Sequence, residues 1–185
     1  SDVCSSDLYR PRIIASRGGA YLLAWMHRLS GLVLGGFLVF HLATLSLLLD
    51  PPRFDRAMQA MNHPLFLFLE WTLAVPLFFH AMNGGRLMLY ELFGFRDDLQ
   101  LIRWMAWLGG GGIVFTGILM VLGNQHASLT VFWLAVMGLS LAGAVLTAQR
   151  VWRTATPVMW KLQRISGGFL LVLLAAHMVF MHMNY

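Results

Sequence analysis

The sequence predicts an all-α integral membrane protein, a bundle of five transmembrane helices. Of its 185 residues, 58% are hydrophobic and 11% are charged, which leaves too few polar side chains to cover a water-soluble domain of this size. Several apolar stretches also reach the ~20 residues that a helix needs to cross a bilayer. They lie at residues 20–49, 64–90, 101–123, 129–149 and 157–183. We therefore expect most of the chain to be surrounded by lipid.

Basic residues predict the orientation of the bundle. Short cytoplasmic loops carry an excess of Lys and Arg, and all of the 13 basic residues except Arg53 and Arg56 fall on one side of the five spans. We therefore expect a cytoplasmic N-terminus and a C-terminus on the outer side. The tryptophans lie mostly near span ends, as interfacial anchors do. Because this asymmetry accounts for the net charge of +5, the charge gives no reason to expect nucleic-acid binding.

The first eight residues, SDVCSSDL, do not fit the pattern of the rest. They resemble translated adapter DNA, and we expect 1–8 to be a non-native leader in front of a single transmembrane domain at 9–185. The only cysteine, Cys4, lies in this leader. We therefore expect no disulfide, thiol chemistry or cysteine metal site. The absence of a Cys-x-x-Cys-His motif excludes covalent haem attachment.

A repeat links the first and fifth spans. HRLSGLVLGGFLVFH at 27–41 returns as QRISGGFLLVLLAAH at 163–177, and each copy runs from Arg-x-Ser-Gly to a histidine eleven residues after the serine. At about 100° per residue, this step brings Ser30 and His41 onto one helix face. Since both spans cross in the same direction, His41 and His177 should lie at similar depth. Two imidazoles that face each other in a bundle are suitable ligands for haem iron.

The second span carries a third candidate ligand, His80. It shares one helix face with Gly84 and Glu91, and the glycine leaves space for the edge of a porphyrin. At about 1.5 Å per residue, His80 should lie about 13 Å nearer to the cytoplasmic side than His41. That offset suits two stacked haems better than one, so we expect one or two haem b groups.

Each of these residues also has a simpler interpretation. A single histidine in a span often only bonds to a neighbouring helix, but three at this spacing favour function. Arg28 and Arg164 either reach lipid headgroups or pair with haem propionates and quinone carbonyls. Glu70 is either a proton relay or a packed carboxylate. We expect the remaining histidines in outer loops or at the interface: His63, His126 and His182.

Two motifs resemble the membrane cytochrome b anchor subunits of succinate dehydrogenase and fumarate reductase. The first span carries the family's His-Arg-x-Ser-Gly at His27, Arg28, Ser30 and Gly31. The second span carries a histidine followed by x3-Gly-x-Arg and then an acidic residue, at His80, Gly84, Arg86 and Glu91. The fifth span joins the resemblance through the repeat, whereas the third and fourth spans are generic.

The resemblance implies a cytochrome b domain in a bacterial inner membrane, with a flavoprotein and an iron-sulfur subunit on its cytoplasmic face. Electrons would pass between the iron-sulfur subunit and membrane quinone, either menaquinone or ubiquinone. The iron ligands would be His80 and the pair His41 and His177, as in two-haem members. The other cofactor-binding residues would be His27, Arg28, Ser30, Arg86 and Arg164. No catalytic site is expected beyond quinone exchange, and the direction of the reaction does not follow from the sequence.

Three departures from the family pattern concern the ligands. Ala24 stands where ubiquinone-type members have a quinone-binding serine, and Leu87 replaces a histidine that often follows the arginine. The third and fourth spans offer no histidine to pair with His80, and we expect His27 to lie too close to the cytoplasmic boundary. The partner of His80 is therefore expected from another chain or from a helix beyond the given sequence.

Two other functions remain open. The first is a haem b anchor of another quinone-linked enzyme, such as a hydrogenase or formate dehydrogenase, although the motif around His80 argues against it. The second is a haem-free structural membrane protein or small transporter whose histidines only bond to neighbouring helices. Copurifying subunits separate the first from our interpretation, and visible absorption separates the second.

Overall fold

The computed structural model describes residues 10–122 and 129–183, and in these ranges it is helical with no strand. Five stretches are long and apolar enough to cross a membrane: Tyr21–Leu49, Pro64–Leu92, Asp98–Met120, Thr130–Val151 and Val158–Met181. They confirm the five predicted spans. The expected leader at 1–8 with Cys4, and the loop histidine His126, lie outside the described residues. The helices are α1 (Arg10–Ser46), α2 (Pro51–Met61), α3 (Pro64–Thr72), α4 (Ala74–Leu92), α5 (Asp98–Leu122), α6 (Leu129–Val151) and α7 (Val158–Met183).

The second span consists of two helices, α3 and α4, rather than one. The break is at Leu73, and Pro76 explains it, because proline has no N–H to bond to the carbonyl of Thr72 four residues earlier. The N–H of Leu73 still bonds to the carbonyls of Leu69 and Glu70, at 3.2 and 3.1 Å. The span is therefore interrupted about two turns before His80.

A short amphipathic helix, α2, connects the first two spans. Pro51 and Pro52 occupy its first turn, where a missing N–H costs nothing. Phe54 and Met58 are half-buried on one face, whereas Arg56 on the other is exposed. This pattern is that of a helix lying along a surface.

Glycines allow close packing around α4 and α7. The ring of Phe78 lies over Gly112 of α5, where a Cβ would come within 2.3 Å of it. Gly143 of α6 meets Gly168 of α7, where a Cβ on Gly143 would lie 2.5 Å from the carbonyl oxygen of Gly168. Only glycine permits such approaches, which bring the helix backbones together. In contrast, α1 packs mainly on α4 and has almost no close backbone contact with α7.

Candidate cofactor site

The repeat places one pair of histidines between α1 and α7. The ring centres of His41 and His177 are 6.4 Å apart, and the ring planes are inclined by 72°. Both side chains are half-buried. The prediction that the two histidines lie at similar depth is therefore confirmed, and their role as iron ligands stays a prediction.

The spacing of His41 and His177 fits two axial ligands of one iron. A metal–imidazole bond is about 2.0 to 2.1 Å long and the ring centre lies ~1.2 Å beyond the nitrogen, so two such ligands have ring centres about 6.4 to 6.6 Å apart. The helices that carry the two rings stay apart, because α1 packs on α4 instead. The donor set and its spacing thus match the requirements of a bis-histidine haem.

Aromatic side chains stand beside this pair. Phe37 lies parallel to His41, with ring centres 5.6 Å apart and planes inclined by 21°. The ring centre of Trp133, on α6, lies 6.4 Å from the ring centre of His177. Phe37 precedes His41 by one helical turn, so its proximity followed from the spacing. Nothing local to Trp133 indicated the contact, because it depends on how α6 and α7 pack.

A second pair of histidines lies between α1 and α4. The rings of His27 and His80 are stacked, with centres 4.0 Å apart and planes inclined by 7°. His27, which we expected to lie too near the cytoplasmic boundary to pair with His80, thus lies directly beside it. The ring of His80 also lies beside Ser30 and Gly31, which precede His41 on α1 by eleven and ten residues. At about 1.5 Å per residue, His80 is therefore offset from His41 by about 15 to 17 Å, where we expected about 13 Å.

Stacked rings cannot share an iron as two axial ligands. Such ligands need ring centres about 6.4 to 6.6 Å apart with a nitrogen of each directed at the metal, whereas the rings of His27 and His80 face each other at 4.0 Å. In this arrangement His27 therefore does not complete the coordination of an iron bound by His80.

Hydrogen bonds hold the ring of His80. Its Nδ1 lies 3.1 Å from the carbonyl oxygen of His27 and 3.2 Å from the Oγ of Ser30. A carbonyl oxygen only accepts, so Nδ1 carries the proton and the lone pair is on Nε2. Buried Ser30 donates to the same carbonyl at 2.9 Å. A ring N–H held by a backbone carbonyl is the usual arrangement of a metal-binding histidine.

Gly31 makes room for His80 at the crossing of α1 and α4. A Cβ on Gly31 would lie 2.9 Å from Cε1 of His80, closer than two carbon atoms can approach without a shift. The glycine of the family motif thus has a local function here, because it admits the imidazole between the helices.

Two of the candidate arginines are held in ion pairs. Arg86 donates from Nε to Oδ1 of Asn83 at 3.0 Å, and its Nη1 pairs with Asp98 of α5. Arg164 pairs through Nη2 with Glu91 of α4 at 2.5 Å. Both pairs tie the ends of helices together, a role that the sequence did not predict for either arginine.

Aromatic rings lie beside the guanidinium groups of Arg28 and Arg164. The guanidinium of Arg28 lies over the ring of Trp25 at 5.5 Å, and that of Arg164 lies over Trp160 at 5.1 Å. Such contacts are favourable cation–π interactions. Arg28 is exposed and makes no ion pair with any described residue, so its guanidinium is accessible to a ligand.

Asn83 belongs to this region, and we did not expect it from the sequence. It is completely buried, and its Nδ2 makes no hydrogen bond with a described residue. The sequence did contain a signal for it, because an asparagine in an apolar span is energetically costly unless its polar atoms have hydrogen-bond partners.

Among the described residues, no group of three or more potential metal ligands was found, but a haem iron takes only two ligands from the protein.

Known proteins resemble the first three spans. Residues 16–120 match the family "Succinate dehydrogenase/Fumarate reductase transmembrane subunit", a match that includes His27, His41 and His80 but not His177. Succinate dehydrogenase 2 membrane subunit SdhC of Mycobacterium tuberculosis is 28% identical over 103 residues, which are 55% of this chain and 74% of that protein. No solved structure gives a significant match. The chain thus belongs to the family of succinate dehydrogenase and fumarate reductase transmembrane subunits.

Proposed function

We propose that the chain is the haem b-containing membrane anchor of a succinate dehydrogenase or fumarate reductase complex. It holds a flavoprotein subunit and an iron-sulfur subunit at the cytoplasmic face of a bacterial inner membrane. Electrons pass through it between the iron-sulfur subunit and menaquinone or ubiquinone. Membership of the family supports the role of membrane subunit, and the spacing of His41 and His177 supports the binding of haem.

The observation that carries the proposal is the spacing of His41 and His177. Their ring centres lie 6.4 Å apart, as two axial ligands of one metal require. Bound haem supplies a one-electron redox centre. His41 and His177 would hold its iron, with Phe37 beside one imidazole and Trp133 beside the other.

His80 is the proposed ligand of a second haem. Its Nδ1 is held by the carbonyl of His27, so that Nε2 offers its lone pair. Since His27 is stacked on this ring rather than opposed to it, the second protein ligand of that iron would come from another chain.

Quinone and haem propionates are the proposed partners of the basic residues near His27. Arg28, which makes no ion pair with a described residue, donates to a quinone carbonyl or a propionate. Arg86 and Arg164 contribute positive charge, and their pairs with Asp98 and Glu91 hold them in place. Ser30 acts through His80, whose ring it helps to orient.

Purification of the tagged chain from its membrane tests this function. We expect a flavoprotein and an iron-sulfur subunit to copurify, a b-type reduced-minus-oxidised spectrum, and succinate-dependent reduction of quinone. Subunits of a hydrogenase or formate dehydrogenase would instead identify another quinone-linked enzyme. A folded protein without visible absorption would contradict the binding of haem and leave a structural role.

A further inference from the structure

A buried amide about one helical turn after His80 on α4 has a donor without an acceptor. The exposed fraction of Asn83 is 0%. Its Oδ1 accepts a hydrogen bond from Nε of Arg86 at 3.0 Å, whereas its Nδ2 makes no hydrogen bond with a described residue. Inside a membrane, lipid tails offer no acceptor in compensation. An amide that is half satisfied in this environment indicates a partner that binds there.

Arg86 determines which half of the amide is available. If the amide were turned by 180°, its Nδ2 would face the Nε–H of Arg86, donor against donor. Arg86 is itself fixed by its pair with Asp98, and its side chain is 10% exposed. The free group is therefore the N–H donor, and the partner must be an acceptor.

A second polar atom without a partner lies on the facing helix. Nδ1 of His27 is buried and makes no hydrogen bond with a described residue. Cε1 of the same ring would lie 3.6 Å from a Cβ on Gly84, the residue after Asn83. His27 therefore lies at the level of Asn83 and Gly84 along α4. The small residue at this level leaves room for a ligand atom to approach.

We propose that Nδ2 of Asn83 donates a hydrogen bond to an oxygen acceptor of a group bound at this interface. The acceptor is a quinone carbonyl or a propionate of the haem held by His80; both only accept, and the neighbouring charge of Arg86 favours electron-rich oxygen. The inference rests on the proposed function and adds to it a residue that binds the ligand directly.

Asn83→Asp and Asn83→Leu test the donor in the purified complex. Aspartate still accepts from Arg86 but has an oxygen in place of the N–H donor, whereas leucine of similar size has neither group. The probe for the quinone is menadione, titrated by quenching of tryptophan fluorescence. The probe for the propionate is the midpoint potential of the haem bound by His80. Haem at His41 and His177 in the same sample reports that the fold is intact.

The two possible acceptors, a quinone carbonyl and a haem propionate, predict different results. A quinone carbonyl predicts menadione binding weaker by about tenfold or more in both variants, with an unchanged haem potential in Asn83→Leu. A propionate predicts a lower haem potential in both variants and unchanged menadione binding in Asn83→Leu. Ser140→Ala, which alters a buried hydroxyl without a described partner on α6, should change neither.

Two results would overturn the proposal while the proposed function stands. If Asn83→Asp binds menadione and holds haem at the wild-type potential, Asn83 only supports Arg86. If Asn83→Asp changes and Asn83→Leu does not, the new carboxylate charge causes the effect. A wild-type complex that binds neither haem nor menadione would instead refute the proposed function, and this inference with it.

Discussion

The two histidine pairs of α1 differ in the helix that supplies the partner. His27 meets His80 on α4, which packs directly on α1, and the rings lie face to face at 4.0 Å. His41 meets His177 on α7, which α1 hardly touches, and the ring centres are 6.4 Å apart. The spacing of histidines along one helix therefore does not decide whether a pair can share a metal. The distance to the partner helix decides it.

The two copies of the repeat differ in the same way. Ser30 is buried at 5% exposure and lies within hydrogen-bond distance of His80. Ser166 occupies the matching position on α7 but is exposed, and it donates only to the carbonyl of Gln163 at 3.1 Å. Two segments with the same motif thus have different surroundings, because Ser30 lies against His80 of α4 whereas Ser166 points away from the neighbouring helices.

The largest effect is expected at the pair between α1 and α7. His41→Ala and His177→Ala should each remove the same haem, because an iron that loses one of two axial imidazoles is held weakly. Pyridine haemochrome analysis of the purified complex measures the loss. His63→Asn, which changes an exposed histidine and keeps a good helix cap, is the control. Full haem content in both variants would make the repeat a packing motif.

At the stacked pair, the two histidines should respond differently to the same substitution. His80→Ala should lose the second haem, because it removes a ligand. His27→Ala should retain that haem, since the backbone carbonyl that holds Nδ1 of His80 remains. The haem content of the two variants, compared side by side, checks this. Equal loss from both would show that His27 ligates iron after a rearrangement of the stack.

Gly31→Ala should weaken the crossing of α1 and α4. Its Cβ would lie 2.9 Å from Cε1 of His80, and overpacking of this kind costs about 1 to 3 kcal/mol. Gly35→Ala is the matched control, because nothing lies within 4 Å of a Cβ there and alanine favours a helix by about 1 kcal/mol. Thermal unfolding in detergent compares them. If both variants melt at the same temperature, the glycine at 31 has no role in packing.

The smallest effect is expected from the serines of the repeat. Ser30→Ala should destabilise the protein by about 1 kcal/mol through the lost hydrogen bond and shift the midpoint potential of the haem at His80. Ser166→Ala should alter neither quantity, because that side chain contacts only its own helix. Redox titration and thermal unfolding of the two variants measure the difference. A shift of the same size in both would contradict the asymmetry of the repeat.

Much of the architecture could be predicted because it depends on local properties of the chain. Apolar length predicted five spans, and the repeat predicted that His41 and His177 lie at one level. The break at Leu73 was also accessible, since Pro76 removes a helical hydrogen bond. The residues that determine each span, each copy of the repeat and the break lie within a few turns of one helix.

Other features of the site depend on contacts between distant segments. The stack of His27 on His80 depends on the relative shift of α1 and α4, which residue counts along each span do not determine. The pair of Arg164 with Glu91 joins residues 73 positions apart. Asn83 is part of the site because packing buries it, and its position in the sequence alone does not determine that burial.

A substitution at His177 that changes the type of iron ligand tests whether His41 and His177 share one iron. In His177→Met, the thioether can still bind the iron, and His/Met ligation has a higher midpoint potential than bis-histidine ligation. We expect a redox titration of the complex to show one haem at a raised potential and the haem at His80 unchanged. Wild-type potentials for both haems, with full haem content, would show that His177 is not an iron ligand and that it does not share an iron with His41.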